Sequence, residues 1–171
     1  MHAPIPRSQA AKRTLPTSAM TMFSFVAAVL LAASSAAPTP LYPIYQQSLH
    51  LSPLMVTLVF AIYAFSLLAA LLTVGSLSDH IGRKPVIVAS LLLNIGAMVL
   101  FARTNDLGHL MFARAVQGLS VGTGITVLGA AILDTNRQRG PLLNSVFIFL
   151  GLTVGALGSG LLVAFAPNPL H

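Results

Sequence analysis

The strongest constraint on the fold of this chain is a succession of long apolar runs separated by short polar segments. Each run is close to the length that an α-helix needs to cross a bilayer, roughly 20 residues. Their approximate bounds are 20–37, 54–76, 85–102, 109–133 and 142–166. A segment in lipid must satisfy its backbone hydrogen bonds internally. The pattern therefore predicts an all-α membrane protein with five transmembrane helices.

The composition supports the same class of protein. Hydrophobic residues make up 56% of the 171 residues and charged residues only 7%, whereas a soluble domain carries about 25% charged residues. The chain has no cysteine, which excludes disulfides and thiolate metal sites. Its net charge of +6 does not indicate a nucleic-acid partner, because the basic residues are divided among short loops rather than gathered on one face.

The polar ends and the first loop complete the predicted domain plan. Residues 1–19 are basic and rich in proline, and they are predicted to form a disordered cytoplasmic tail. Residues 20–167 form the helix bundle, and residues 168–171 form an external tail. Residues 38–53 contain no charged side chain and are predicted to form a short outer loop. The tyrosines of this loop suit the interfacial aromatic belt. The alternative for the first run is a signal peptide, because a basic segment precedes the run and small residues end it.

The distribution of basic residues predicts the orientation in the membrane. With the N-terminus inside, the outer side receives only Arg103, and Arg114 lies within a span. The inner side receives Arg7, Lys12, Arg13, Arg83, Lys84, Arg137 and Arg139. Cytoplasmic loops of membrane proteins carry an excess of lysine and arginine. We therefore expect a cytoplasmic N-terminus and an external C-terminus in a multi-pass protein of the bacterial inner membrane.

A polar hinge, residues 75–85, joins the second and third runs. Gly75 permits close approach of helices, and Gly82 can take a positive φ for a tight turn. Asp79 lies near the C-terminal end of a helix, where the helix dipole disfavours an anion. It therefore needs a partner, and Arg83 is the nearest candidate. The alternative is a solvated loop that carries ordinary cytoplasmic positive charge.

The hinge has the pattern G-x-L-x-D-x-x-G-R-K, which resembles the loop between the second and third transmembrane helices of the major facilitator superfamily (MFS). The matching positions are Gly75, Leu77, Asp79, Gly82, Arg83 and Lys84. The resemblance implies that this motif closes an inner gate and stabilises the outward-open state. Its aspartate would pair with basic residues and face a helix N-terminus of the other half. His80 stands where the pattern usually has arginine, which makes one cationic contact sensitive to pH.

A second motif begins with a cation inside a span. Placing Arg114 there costs a few kcal/mol or more, so it is a functional candidate by default. The alternative is that its side chain extends to the nearby outer interface. The sequence R-x-x-Q-G resembles a fourth-helix motif of MFS drug/proton antiporters. This implies a role in proton coupling or substrate contact for Arg114, Gln117 and Gly118. Gly118 and Gly122 also form a small-xxx-small face suited to helix packing.

A third motif is the glycine-faced stretch of the fifth run. Gly151, Gly155 and Gly160 predict close helix packing. The stretch resembles the fifth-helix antiporter motif G-x-x-x-G-P-x-x-G-G. Ala156 replaces its proline and Ser159 one of its paired glycines, so the expected helix kink loses its usual cause. The likeness to antiporters is therefore less complete than the likeness to the MFS.

Several kinds of chemistry are missing from the sequence. The three acids, Asp79, Asp106 and Asp134, all lie at the ends of runs, whereas proton-coupled transporters usually carry a protonatable group in the core. No nucleophile and base are paired, no loop is built for phosphate, and no metal ligands cluster. We expect no enzyme activity, no cofactor and no metal.

The resemblance to the MFS implies twelve spans in two halves, with substrate bound between the halves near the midplane. Residues 20–167 correspond to most of the first half. The expected function is transmembrane transport of a small solute by alternating access, as efflux or antiport, by a truncated or partial form. The alternative is a non-transporting or split-subunit protein that needs a partner chain. The expected partners are the lipid bilayer, an unidentified small molecule, and a second-half chain or homo-oligomer. Side chains that could line a cavity include Gln46, Tyr63 and Asn94, which are too generic to specify a substrate.

Overall fold

The computed structural model describes residues 17–165, except for the side chains of residues 75–77 and 79. The described chain consists of helices and connecting turns, with no strand between residues 17 and 165. The helices are α1 (Thr17–Ala36), α2 (Tyr42–Ser48), α3 (Pro53–Ile81), α4 (Arg83–Ala102), α5 (Leu107–Thr135) and α6 (Gly140–Phe165), with a 3₁₀ turn at Thr39–Leu41.

Five segments of the described part are long and apolar enough to cross a membrane. They are α1 with the following turn and α2, most of α3, and the whole of α4, α5 and α6. The predicted all-α membrane bundle is therefore confirmed. The predicted N-terminal tail lies outside the described residues except for residues 17–19, which begin α1, and the predicted tail at 168–171 lies outside them entirely.

The polar hinge is shorter than predicted. Helix α3 continues through most of it to Ile81, and α4 begins at Arg83, so Gly82 alone separates the two helices. Gly82 has φ 91°, which confirms the predicted positive φ. With 29 residues, α3 is about 43 Å long, longer than a hydrocarbon core of roughly 30 Å. Its polar end can therefore stay helical beyond the apolar layer.

The predicted outer loop is also folded. After Pro38, the chain makes the 3₁₀ turn and then α2 before α3 begins at Pro53. Tyr42 and Tyr45 are only 5% and 4% exposed, so they pack into the bundle rather than forming an interfacial belt. They join an apolar cluster that contains Leu51, Val59, Phe101, Leu110 and Ala113. The segment therefore covers one end of the bundle.

Helix α5 is the centre of the bundle. It packs against α1, α3, α4 and α6, and 56% of its most apolar stretch is buried, compared with 11% for α3 and 17% for α6. Many large apolar side chains point outward, among them Leu72, Phe149 and Phe165. In lipid such faces are solvated, so the helices are held together by close packing rather than by exclusion of water.

Glycines allow α3 to approach α5. A Cβ at Gly118 would lie 2.5 Å from the carbonyl oxygen of Tyr63 and 2.8 Å from Cβ of Ser66. A Cβ at Gly122 would lie 2.7 Å from the carbonyl oxygen of Leu67. Both distances are shorter than real Cβ contacts. Residues 118 and 122 therefore bring the two backbones into direct contact, which fixes the position of Arg114 one turn away.

Candidate functional site

Arg114 lies inside the bundle. It follows the start of α5 by seven residues, or about 10 Å along the helix axis. The residue is only 1% exposed, and its guanidinium group is surrounded by protein rather than extended to the outer interface. A buried cation is costly unless its charge and its donors are compensated. The surroundings of Arg114 therefore define the candidate site.

Arg114 donates hydrogen bonds to two side chains, and one of these side chains extends the chain of bonds to α1. Nε of Arg114 donates to Oη of Tyr42 at 2.5 Å, and its Nη1 donates to Oε1 of Gln117 at 2.7 Å. Gln117 is fully buried, and its Nε2 donates to the backbone carbonyl of Ser34 at 2.7 Å. The chain of contacts joins α2, α5 and α1 around one charge. The structure thus brings together Arg114 and Gln117, which the second motif singled out.

Four aromatic rings surround the guanidinium group. The distances from its Cζ to the ring centroids are 5.2 Å for Tyr42, 5.4 Å for Phe60, 5.2 Å for Tyr63 and 5.5 Å for Phe101. We call these four rings the aromatic cage. A cation within about 6 Å of a ring centroid is stabilised by the ring quadrupole, by about 2 kcal/mol when desolvated. The cage therefore offsets part of the cost of burying the charge.

The charge has no anionic partner among the described side chains. Asp106 contacts His109, and Asp134 contacts Arg83. Nη2 of Arg114 is buried and has no hydrogen-bond acceptor in the described structure. Because buried donors in proteins are nearly always paired, an N–H at this position is suited to an acceptor that arrives from outside the described side chains. The site can thus present a fixed positive charge and one free donor.

A polar path leads from this site to α4. Oγ of Ser34 donates to Oδ1 of Asn94 at 3.0 Å, and Ser34 also accepts the Gln117 hydrogen bond through its carbonyl. Asn94 and Tyr63, expected from the sequence to line a cavity, therefore lie in the same region as Arg114. The side chain of Gln46 makes no hydrogen bond to the described residues, and its expected place in a cavity stays a prediction.

At the opposite end of the bundle, Arg83 forms an ion pair with Asp134. This contact ties the start of α4 to the end of α5. The predicted pairing of Asp79 falls on a side chain outside the described part, as does the side chain of Leu77. Lys84 is exposed. Sequence reasoning missed Asp134 as the partner of Arg83, although alternating helices place both on one side of the bundle.

Asp106 caps the N-terminus of α5. Its Oδ1 accepts a hydrogen bond from the backbone N–H of His109 at 2.9 Å, and its Oδ2 lies 2.6 Å from Nδ1 of the same residue. The side-chain hydrogen bond from His109, with a smaller contribution from the backbone bond, lowers the pKa of the Asp106 carboxyl below its ordinary value. This exposed pair fixes the helix end nearest to Arg114. It lies outside the buried site.

The glycines of the third motif pack α6 against α1. A Cβ at Gly151 would lie 2.7 Å from the carbonyl oxygen of Val29, and Gly155 lies against the backbone of Ala33. Gly160 is less tightly enclosed, since its nearest neighbour would be Cγ of Pro40 at 3.9 Å. Gly151 and Gly155 therefore bring α6 into close contact with α1. The packing role expected for Gly160 stays a prediction.

A bundle of five membrane-length helices around a buried cation defines an integral multi-pass membrane protein. The family model of the Major Facilitator Superfamily matches residues 24–168. The match covers most of the chain, and the chain belongs to this family.

Three proteins of known name are similar in sequence to this chain, in agreement with its membership of the superfamily. The multidrug resistance protein MdtL of Klebsiella pneumoniae (strain 342) is 28% identical over 121 residues, 68% of this chain and 31% of that protein. The inner membrane transport protein YnfM of Escherichia coli (strain K12) is 29% identical, over 72% of this chain and 30% of its own. The class C tetracycline resistance protein of Escherichia coli is 36% identical, over 62% of this chain and 28% of that protein. The chain thus spans about a third of the length of these relatives.

Proposed function

We propose that this chain forms part of a transporter that exports a small solute by alternating access, with Arg114 and Gln117 as its polar centre. The observation that carries the proposal is the burial of Arg114 with one donor free. A cation within a membrane span is expensive, and such residues mark substrate or ion pathways. The relatives named for multidrug and tetracycline resistance support export of an organic solute.

The chemistry of a guanidinium group defines what Arg114 would do in transport. Arginine remains charged in proteins, so it acts as a fixed charge rather than as a proton carrier. Its free N–H can bind an oxygen of the solute, or it can favour the ionised form of an acid that approaches during the cycle. Either contact would form in one conformation and break in the other, which is the differential interaction that alternating access requires.

The inner gate is proposed to lie at the opposite end of the bundle. Its residues are Gly75, Leu77, Asp79, Gly82, Arg83 and Lys84. The ion pair between Arg83 and Asp134 supports this assignment, because it ties α4 to α5 where the motif begins α4. The basic residues of this side support a cytoplasmic location for the gate under the positive-inside rule. In this orientation the short segment with α2 covers the external end.

A second half is the proposed partner. MFS substrate sites form between two halves, and the described helices supply one side of such a site. The second half is either a further polypeptide segment, a separately expressed chain or another copy of this one. Co-expression of the tagged chain with each of these, followed by purification in mild detergent, would identify the partner by the one that is retained.

The transport proposal is tested in a transporter completed with a second half. We expect Arg114→Ala to slow export of ethidium and of tetracycline from energised cells at least about tenfold, a loss equivalent to one charged hydrogen bond. Arg103→Ala is the matched control, because Arg103 is exposed in the turn before α5. Equal export by Arg114→Ala and the unaltered protein, at equal amounts in the membrane, would refute the assignment.

A further inference from the structure

We propose that Tyr42 is a positioning residue that orients Arg114 from the short helix α2, which connects α1 to α3. The inference rests on the proposed function, in which Arg114 is the polar centre. The Tyr42 hydroxyl accepts a hydrogen bond from Nε of Arg114 at 2.5 Å. Tyr42 belongs to α2, a seven-residue helix in the connection between α1 and α3. The orientation of the buried charge therefore depends on a segment that covers the end of the bundle.

The geometry of the guanidinium group explains how one hydroxyl can orient it. The group is a rigid plane with donors in fixed directions. Tyr42 holds Nε, and Gln117 holds Nη1. Two fixed donors define both the plane and its rotation, so the direction of Nη2 is no longer adjustable. Nη2 is the donor without an acceptor. Tyr42 and Gln117 together decide the direction in which the two N–H bonds of Nη2 point.

The tyrosine is itself firmly held. Its ring packs on Phe60 with centroids 4.6 Å apart, and Tyr45 contacts its edge at 6.5 Å. Tyr42, Tyr45 and Leu51 are all at least nine-tenths buried in the same apolar cluster. We name residues 39–51 the outer cap. Because the cap is anchored through the residue that binds Arg114, a displacement of the cap would release Nε and let the guanidinium group rotate.

Tyr45 provides a matched comparison within the same short helix. It is as buried as Tyr42, with 4% against 5% exposure. Its hydroxyl makes no hydrogen bond to the described residues. Tyr42→Phe and Tyr45→Phe therefore each remove one oxygen from a buried side chain of the same helix, and only the first removes a bond to Arg114. A difference between the two variants reports on that bond rather than on loss of polarity in the cap.

The test measures the reactivity of Arg114 directly in the full chain, reconstituted in lipid vesicles. Phenylglyoxal, which modifies accessible guanidinium groups, is added, and the fraction of Arg114 modified with time is determined by peptide mass spectrometry. We expect Tyr42→Phe to accelerate the modification about tenfold, the factor that corresponds to one hydrogen bond to a charged group. Tyr45→Phe should react at the rate of the unaltered chain. Equal rates for Tyr42→Phe and Tyr45→Phe would overturn the proposal.

A second variant tests the same bond from its other end. Arg114→Lys keeps the charge but replaces the planar guanidinium with an ammonium group, which has no plane for Tyr42 to orient. The chain has no cysteine, so Ser34→Cys supplies a single thiol on the residue whose carbonyl binds Gln117 and whose side chain contacts Asn94. The alkylation rate of this thiol reports how open the site is. We expect Arg114→Lys to raise this rate, and Tyr42→Phe to raise it no further in the Arg114→Lys background. Additive effects of the two substitutions would contradict a role exerted through Arg114.

Neither measurement depends on transport. If export proves independent of Arg114 while Tyr42→Phe still exposes it, the proposed function fails and the positioning role stands. If export needs Arg114 while Tyr42→Phe and Tyr45→Phe react alike, the positioning role fails and the proposed function stands. If Tyr42→Phe is not recovered from membranes, the test uses Arg114→Lys alone. An alkylation rate of Ser34→Cys that is unchanged by Arg114→Lys also overturns the proposal.

Discussion

Gly155 of α6 lies directly on the backbone of Ala33 in α1. A Cβ at position 155 would lie 2.7 Å from the carbonyl carbon of Ala33 and 2.8 Å from its Cα. One turn earlier, Gly151 approaches the carbonyl oxygen of Val29 in the same way. These distances leave no room for any side chain, so α1 and α6 meet backbone to backbone. Small residues serve this purpose in membranes, where packing replaces the hydrophobic effect as the source of helix association.

This contact predicts that Gly155→Ala destabilises the bundle. The added methyl group must push α6 away from α1, because the atoms that it meets belong to the backbone and cannot rotate away. Overpacking of this kind costs about 1–3 kcal/mol. We expect a lower midpoint of thermal unfolding for the chain in detergent, followed by circular dichroism.

Gly158→Ala is the control for that experiment. It lies on the same helix, three residues further on, and a Cβ there would meet nothing within 4 Å. The two substitutions change helix propensity equally, so their difference isolates the contact with α1. We expect Gly158→Ala to unfold at or slightly above the midpoint of the unaltered chain, because alanine has the higher helix propensity. Equal midpoints for Gly155→Ala and Gly158→Ala would contradict the packing role of Gly155.

The number and order of the long helices could be predicted from the sequence, because the length of an apolar run is fixed by the bilayer. The ends of the helices could not. The sequence predicts that the second run ends near residue 76, yet α3 continues to Ile81. Polarity marks the edge of the apolar layer, whereas the helix itself ends where the backbone of Gly82 turns to positive φ. Likewise, the prolines of the outer cap begin short helices instead of excluding them.

The charge of the candidate site could also be predicted, but its surroundings could not. Arg114 and Gln117 are neighbours in sequence, so their spacing on one helix face was visible. The rings of Tyr42, Phe60 and Phe101 come from three different elements, and only the packed bundle brings them to one guanidinium group. Contacts between residues so distant in sequence leave no periodic signal. The missed partner of Arg83, Asp134, has the same explanation.

The ion pair between Arg83 and Asp134 predicts a small, salt-dependent contribution to stability. The two side chains are 37% and 62% exposed, so solvent screens their attraction. We expect a coupling energy of about 0.2–1 kcal/mol between Arg83→Gln and Asp134→Asn in a double-mutant cycle. Coupling should decrease as the salt concentration rises from about 0.01 M to about 1 M.

Arg139→Gln is the control for the ion-pair experiment. Arg139 is exposed on the same side of the bundle and forms no ion pair within the described part of the chain. Its replacement changes the net charge as Arg83→Gln does. We expect no coupling between Arg139→Gln and Asp134→Asn. A coupling as large as that of Arg83 would show that general charge on this side, rather than the pair, is responsible.

The cap of α5 predicts that the difference in stability between the unaltered chain and Asp106→Asn depends on pH. The hydrogen bond from His109 lowers the pKa of Asp106 in the folded chain. Because the pKa of this carboxyl is lower in the folded than in the unfolded chain, its ionised form stabilises the fold. This contribution is present above the unfolded pKa of about 3.9 and is lost as the pH falls through the pKa of the folded state. Asparagine caps a helix as well as aspartate does.

We therefore expect Asp106→Asn to be less stable than the unaltered chain at pH values above about 4. The difference should shrink as the pH falls further. Thermal unfolding in detergent across this range measures it, and Asp106→Ala, which removes the cap as well, should be less stable than Asp106→Asn throughout. A difference that grows on acidification would contradict the lowered pKa.

The proposed inner gate predicts that Asp79→Asn stops or sharply slows export in a transporter completed with a second half. The substitution keeps the size of the side chain and removes the charge with which the gate would bind its basic partners. We expect an unchanged amount of protein in the membrane, measured by immunoblot, with an initial rate of ethidium export reduced about tenfold or more. An export rate equal to that of the unaltered transporter would count against the gating role of Asp79.

The proposed orientation predicts which loops are reachable from outside the cell. Asn105 and Gln138 are both exposed and lie in the turns before and after α5. With no native cysteine in the chain, Asn105→Cys and Gln138→Cys each provide one thiol for a membrane-impermeant maleimide. We expect Asn105→Cys to react in intact cells and Gln138→Cys to react only after permeabilisation, since lysine and arginine concentrate on the cytoplasmic side. The reverse pattern would invert the orientation, and equal labelling of both from outside would show that α5 does not cross the membrane.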